Sequence, residues 1–81
     1  MATCTVYHNR PGAGPGRMAA QVALDDIQQL QPLWNITMDW DADRSVYTAT
    51  PSPGATVTGD GLQTIVEPQF QGQGYLFSST A

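Results

Sequence analysis

Apolar and polar positions alternate in the first segment of the chain. Over residues 3–8, Cys4 and Val6 fall on one side of an extended backbone, and polar or aromatic neighbours fall on the other. Period-two alternation with β-branched residues predicts a strand. The next segment, residues 9–16, reads NRPGAGPG, and its two prolines and three glycines predict a loop.

A helical pattern follows at residues 17–31. Apolar side chains recur there at spacings of three and four residues, which places them on one face of a helix, whereas Asp25 and Asp26 lie away from that face. Pro32 ends the helix because it lacks a backbone N–H and disfavours helical geometry at the residue before it. The apolar face consists of Ala20, Ala23, Leu24, Ile27 and Leu30.

Alternation resumes after the proline and predicts a hairpin. A first strand starts at Trp34, a polar turn lies at residues 41–44, and the return strand places Tyr47 and Ala49 on the buried side. Among these residues, we expect truncation of Trp34 to cost most, about 3–5 kcal/mol. The first strand has Trp34, Ile36, Met38 and Trp40 on one side, and Asn35, Thr37, Asp39 and Asp41 on the other.

Residues 56–67 allow two interpretations. Thr58 or Asp60 can cap a short helix. The β-branched residues at 64–66 instead favour a strand. We prefer the helix and keep the strand as the alternative. The helix would turn three apolar side chains towards the core: Leu62, Ile65 and Val66.

The last segment, residues 68–81, is rich in glutamine and glycine but carries Phe70, Tyr75 and Phe77. A tail that combines glycine hinges with aromatic side chains either folds back onto its own domain or docks on a neighbouring molecule. The sequence leaves both alternatives open.

Together these patterns predict the α+β class, with one domain over residues 1–67 and a flexible C-terminal tail over residues 68–81. The element order is β-α-β-β with a short second helix or a fourth strand, and the main helix covers one face of the sheet. A chain of 81 residues forms one domain with a small core. A deep substrate cavity would consume most of that core, so we expect a protein that is not an enzyme.

The charge balance excludes some classes of partner. The chain has no lysine, three arginines and a net charge of −4. Direct binding to nucleic acid or to an anionic membrane rests on cationic side chains, so we expect neither. The first twenty residues do not resemble a signal peptide, and no apolar run approaches the ~20 residues that span a bilayer. We therefore expect a cytoplasmic protein, or part of a particle assembled in the cytoplasm.

The residues that could carry chemistry do not form a recognisable catalytic or metal-binding set. The glycines at 12, 14 and 16 do not have the spacing of a phosphate-binding loop. The D-x-D-x-D run of residues 39–43 begins like a calcium loop, but Arg44 replaces the glycine and Thr50 the glutamate that such a loop needs. His8 and Cys4 are too few for a zinc site. We therefore predict no catalytic residue, no metal and no cofactor.

Two groups of residues are candidates for binding a protein partner. At the hairpin tip, Trp40 either projects from the surface or is covered by the N-terminal loop or the C-terminal tail, and exposed aromatic residues are frequent anchors of interfaces. The candidates are Trp40, Asp39, Asp41 and Asp43 at the tip, and Phe70, Tyr75 and Phe77 in the tail.

One run of the chain resembles short uncharacterised proteins of actinobacteria and their phages. It covers residues 24–50: the helical stripe, the motif Pro-Leu-Trp-Asn-Ile at 32–36, a short turn, and Tyr-Thr-Ala-Thr at 47–50. This is a helix–PxWxI–hairpin packing motif that names no activity. The resemblance implies a small phage or mobile-element accessory protein and supplies no catalytic residue.

The first functional hypothesis is therefore a non-enzymatic protein-binding or structural accessory protein, either a phage particle component or a binder of a host protein. Its partner is another protein or a second copy of itself. The alternative is an acidic mimic of nucleic acid that inhibits a DNA-binding enzyme. Mimicry requires five acidic residues to form one surface: Asp25, Asp26, Asp39, Asp41 and Asp43.

Overall fold

The computed structural model describes residues 1–41 and 44–81 of the protein. Within them, four strands form one sheet, two α-helices pack against it, and two 3₁₀ turns connect elements. The α+β class and the first part of the predicted element order are confirmed. The elements are β1 (Ala2–Tyr7), α1 (Arg17–Leu30), a 3₁₀ turn (Pro32–Trp34), β2 (Thr37–Asp41), β3 (Arg44–Ala49), α2 (Gly59–Val66), a 3₁₀ turn (Glu67–Phe70) and β4 (Leu76–Thr80).

The strands lie in the order β2-β3-β1-β4, and every neighbouring pair is antiparallel. β1 and β3 are central, whereas β2 and β4 form the two edges. Because β3 lies between β1 and β2, the unit β1-α1-β2 is a split β-α-β arrangement. Many unrelated proteins share that connectivity, so the topology alone indicates no function.

The core lies between the sheet and the two helices. Alternate residues of β1 and β3 are buried, as their sequence pattern predicts, and Cys4 pairs in register with Tyr47. Tyr47 is the largest fully buried side chain, and Ile27 of α1 and Leu62 of α2 complete the centre. Leu30, predicted on the buried face of α1, is 61% exposed, because it is the last residue of the helix and the buried part of that face ends at Ile27.

The first strand of the hairpin begins later than predicted. Pro32 starts a 3₁₀ turn, because its fixed φ and missing N–H suit the first position of a helical turn. Asn35 then adopts a left-handed conformation with φ 49°, and its side-chain amide donates to the Thr50 carbonyl at 2.9 Å. Trp34 therefore lies in the turn rather than on β2, and it is half-buried against the core.

The predicted short helix forms within residues 56–67, as α2 (Gly59–Val66). The Thr58 side chain caps it, since the hydroxyl accepts a hydrogen bond from the Gly61 N–H at 3.0 Å. Leu62 and Val66 are buried, and Ile65 packs at the margin of the core.

The C-terminal segment is part of the domain rather than a flexible tail. Phe70 is buried in the core, and β4 pairs with β1 from Leu76 to Thr80. Gly72 and Gly74 have positive φ values of 81° and 76°, which turn the chain between these two parts. The segment folds back onto its own domain because β1 offers an unpaired side and because Phe70 buries its ring.

Candidate functional site

A cleft of about 350 Å³ lies between α2 and the segment that leads into β4. Thr64 and Glu67 form its helical side, and Tyr75 and Phe77 form its sheet side. Phe70 closes it towards the core. The three aromatic residues predicted in the tail are thus brought together in one place, where they line a cleft instead of projecting from the surface.

The rings of this cleft are held in a chain that begins in the core. Phe70 lies 6.4 Å from Tyr47 and 5.6 Å from Tyr75, measured between ring centroids, and the second pair is T-shaped. Tyr75 then makes a T-shaped contact with His8 at 6.3 Å. Edge-to-face packing of this kind fixes ring orientation. Phe70 and Tyr75 are therefore held in place by contacts with the core and with His8, which directly follows β1.

The His8 ring is held by the backbone of Arg10. Its Nδ1 accepts a hydrogen bond from the Arg10 N–H at 3.0 Å. In the neutral ring the proton is therefore on Nε2, the atom that lies near Gly74. The His8 ring packs against Tyr75 and lies beside Gly74, so it helps to hold this side of the cleft in place.

Glu67 is the only charged side chain among the residues that line the cleft. It is exposed, and its Oε2 accepts a hydrogen bond from the Gln63 side-chain amide at 2.9 Å. Its negative charge also affects the pKa of the Cys4 thiol. Burial, and secondarily Glu67, raises the pKa of the Cys4 thiol to about 12. The thiol is consequently neutral at physiological pH and is not a nucleophile.

The cleft adjoins the free edge of the sheet. β4 is terminal in the strand order, so one side of its backbone has no strand partner among the described residues. Its sequence, LFSST, contains neither charge nor proline. The opposite edge, β2, carries Asp39 and Asp41, and charges on an edge strand oppose the addition of another strand. The two edges of this sheet are therefore chemically different.

Trp40 lies on the helical side of the sheet, where the N-terminal loop covers it. Its side chain is half-buried, and its indole N–H donates to the Pro15 carbonyl at 2.9 Å. This is the covered alternative of the two that the sequence leaves open. Asp39 and Asp41 are exposed on the opposite face, where neither helix of the described residues packs. Asp43, the fourth candidate at the tip, lies outside the described residues.

The acidic residues are divided between two sides of the domain. Asp25 and Asp26 are exposed on α1, which packs against one face of the sheet. Asp39 and Asp41 project into solvent from the opposite face. These four residues therefore do not form the single surface that nucleic-acid mimicry requires.

A shallow depression of about 250 Å³ lies on the face of the sheet opposite the helices. Thr5, Tyr7 and Ser78 line it together with Arg44, which stands opposite Asp41 in the register of the hairpin. Its lining has one guanidinium and three hydroxyl groups, and the adjacent carboxylate opposes anion binding.

Among the described residues, no three His, Cys, Asp or Glu side chains are grouped so that they could hold a metal ion. In the same part of the chain, no helix has the length and apolar character needed to cross a membrane. Comparison with models of protein families, with curated proteins and with solved structures finds no match for this chain.

The sequence indicated the aromatic part of the cleft but not Glu67 or the free edge. Aromatic residues in a glutamine- and glycine-rich segment were the signal for Phe70, Tyr75 and Phe77. Glu67 is the last residue of the segment 56–67 in which a helix is predicted, but its place at the cleft depends on where β4 lies. That depends on pairing between residues as distant as Thr3 and Thr80, which no local pattern encodes.

Proposed function

We propose that this protein is a non-enzymatic protein-binding domain that adds an extended segment of its partner to the free edge of β4. The observation that carries this proposal is the position of the aromatic cleft directly beside an edge strand without charge or proline. In strand addition, backbone hydrogen bonds to the edge supply affinity and pockets for alternate side chains supply specificity. This domain has both parts within the same few residues.

The contrast between the two edges selects β4 over β2. An incoming strand at β2 meets the carboxylates of Asp39 and Asp41 beside the backbone. At β4 it meets serine and threonine side chains, together with Leu76, whose side chain is 37% exposed. The five residues of β4 span about 17 Å, enough for a short extended segment.

The proposal applies to either role considered from the sequence, a particle component or a binder of a host protein, because both require a surface that accepts another chain. It also leaves the buried Cys4 and the ring of His8 as structural residues rather than catalytic ones. Asp39 and Asp41 would keep the other edge strand, β2, free of strand partners. Acidic mimicry finds no comparable support, since the four acids of that set that the structure describes lie on two sides of the domain.

A selection from a random library of displayed peptides tests this function. We expect the selected peptides to bind in an extended conformation and to slow amide hydrogen exchange at residues 76–80 but not at 37–41. Ser78→Lys should weaken that binding at least about tenfold, because a lysine on the edge strand opposes strand addition. Thr37→Lys is the matched control, since Thr37 is exposed on the other edge strand, and it should leave binding unchanged.

The opposite pattern contradicts the proposal. If peptides bind equally well to the Ser78→Lys variant, or if exchange slows at residues 37–41 instead of 76–80, then the partner does not add to β4. A selection that yields no peptide protecting residues 76–80 also counts against the proposal.

A further inference from the structure

The cleft beside β4 combines two features that favour a cation. Tyr75 and Phe77 supply aromatic rings, whose faces carry partial negative charge, and Glu67 supplies a carboxylate. Cations are attracted to the faces of aromatic rings, and a nearby carboxylate adds a direct charge interaction. Neither lysine nor arginine lines the cleft, so its one full charge is not neutralised by a cation in its own wall.

The surroundings of Glu67 leave its negative charge available to a ligand. Its Oε2 accepts one hydrogen bond from Gln63, a neutral donor that orients the carboxylate without cancelling its charge. A carboxylate oxygen accepts more than one hydrogen bond, so the group retains capacity for a further donor. The side chain is exposed, which leaves the carboxylate accessible from solvent.

The cleft is large enough for one long side chain. Its volume of about 350 Å³ lies at the lower end of the roughly 300–1,000 Å³ that is usual for small-molecule sites. The whole chain has a net charge of −4 and no lysine of its own. Its field therefore favours the approach of basic segments, and none of these 81 residues can supply a lysine for this cleft.

We infer that the cleft formed by Glu67, Tyr75 and Phe77 binds the lysine or arginine side chain of an extended partner segment that lies along β4. This inference rests on the proposed function, because strand addition is what presents the side chain to the cleft. It adds a chemical identity: the partner segment is basic, and its cationic residue is the one directed towards α2. β4 gives the general affinity, and Glu67 with the two rings gives the selectivity.

Three acetylated heptapeptides of alternating threonine and valine test the inference, with lysine, norleucine or glutamate at the central position. They are titrated into the intact protein and followed by NMR, through the ring resonances of Tyr75 and the amides of residues 76–80. We expect the lysine peptide to bind about tenfold more tightly than the norleucine peptide and the glutamate peptide to bind most weakly. Glu67→Gln should remove most of the preference for lysine, and the norleucine peptide should bind this variant as well as it binds the unmodified chain.

Asp60→Asn is the matched control for Glu67→Gln. It removes the same charge from an exposed position of α2 that does not line the cleft. We expect it to change the affinity of the lysine peptide less than twofold. Glu67→Gln keeps the size of the side chain and an acceptor for Gln63, so a folded variant is expected, and its amide spectrum checks this.

The outcomes separate the cation site from strand addition. Equal affinity of the lysine and norleucine peptides overturns the cation site but leaves binding at β4 intact. Tetramethylammonium, which cannot add as a strand, probes the cleft alone. If it shifts the Tyr75 resonances, and Glu67→Gln removes that shift while no peptide protects residues 76–80, then the cation site stands and strand addition fails. No shift with tetramethylammonium and no preference for lysine overturn the inference.

Discussion

The phenolic hydroxyl of Tyr47 donates a hydrogen bond to the backbone carbonyl oxygen of Ala20, at a distance of 2.9 Å in the buried core. This bond joins the centre of the sheet to α1 across the layer of apolar side chains. It also gives the one polar atom of the largest buried side chain a partner, as burial requires. The small side chains at Ala20 and Ala23 allow α1 to lie close enough for the contact.

Tyr47→Phe should lower the free energy of unfolding by about 1 kcal/mol, because it removes this hydrogen bond and retains the ring. Tyr47→Ala should cost about 3–5 kcal/mol, since it also leaves a cavity. Urea denaturation followed by circular dichroism measures both values. If Tyr47→Phe is as stable as the unmodified chain, the bond makes no net contribution to stability.

The free energy of unfolding should fall as the pH rises above about 9. The Cys4 thiol has an ordinary pKa of 9.0 and a folded pKa raised to about 12. Between these values the unfolded state loses the proton and the folded state keeps it, so stability is full below pH 9 and is lost towards pH 12, with a limiting slope of about 1.4 kcal/mol per pH unit.

Tyr47 acts in the same direction at higher pH. Burial raises its pKa above the ordinary value of 10.0, and the nearby Ser45 hydroxyl opposes that shift only in part. Urea denaturation between pH 8 and 11 measures the combined slope. Cys4→Ala should flatten the slope between pH 9 and 10, where Tyr47 contributes little. An unchanged slope in that variant would mean that the thiol is not the group responsible.

Ser45→Ala should stabilise the protein by about 1 kcal/mol. The Ser45 hydroxyl is completely buried. It lies close enough to the Tyr47 hydroxyl to oppose the rise in the pKa of Tyr47, but it has no hydrogen bond of acceptable geometry with a described residue. An unpaired buried hydroxyl costs about 1–3 kcal/mol, and alanine removes that cost with little change in volume. The midpoint of urea denaturation measures the effect. A loss of stability would show that the hydroxyl has a partner in solution, such as a bound water molecule.

Local patterns in the sequence predicted most of the elements. The spacing of apolar residues and Pro32 defined α1, alternation defined β1 and β3, and the Thr58 cap supported α2. Each of these signals lies within a few residues of the element it describes. Trp34 was misplaced because the turn around it depends on contacts of Asn35 with Thr50 and Ser52, which are distant in sequence.

β4 and the complete cleft could not be predicted for a related reason. The segment before β4 is turned by glycines with positive φ, and glutamine-rich composition obscures its alternation. Pairing with β1 joins opposite ends of the chain, and it alone decides that Glu67 faces Tyr75 and Phe77 across a cleft. The sequence identifies the aromatic residues, but only the strand order shows that they line the same cleft.

Trp40→Phe should loosen the N-terminal loop at a cost of about 0.5–1.5 kcal/mol, because it removes the hydrogen bond from the indole N–H to Pro15. Trypsin measures this locally, since Arg17 directly follows the loop and should be cleaved faster in the variant. Trp34→Phe is the control, because the Trp34 indole makes no hydrogen bond with the described residues. Equal cleavage in both variants would show that the Trp40 bond does not hold the loop.

Gly59→Ala reverses the usual effect of an alanine in a helix. Replacing a helical glycine normally stabilises by up to about 1 kcal/mol. At Gly59, however, an added Cβ would lie 2.8 Å from the backbone carbonyl group of Thr80, the last residue of β4. Because backbone atoms cannot move aside as a flexible side chain can, α2 and β4 would have to separate, and we expect a loss of about 1–3 kcal/mol.

Gly61→Ala provides the comparison on the same helix. Its Cβ would lie 3.2 Å from the Thr58 hydroxyl, which caps α2 but is a side-chain atom that can shift by a few tenths of an ångström. The cost should therefore be smaller than at Gly59. Urea denaturation gives the two stabilities, and amide exchange of residues 76–80 should accelerate only in Gly59→Ala. If Gly59→Ala is as stable as the unmodified chain, β4 is not packed against the start of α2. The cleft, which depends on the same packing of α2 against β4, would then lose its structural basis.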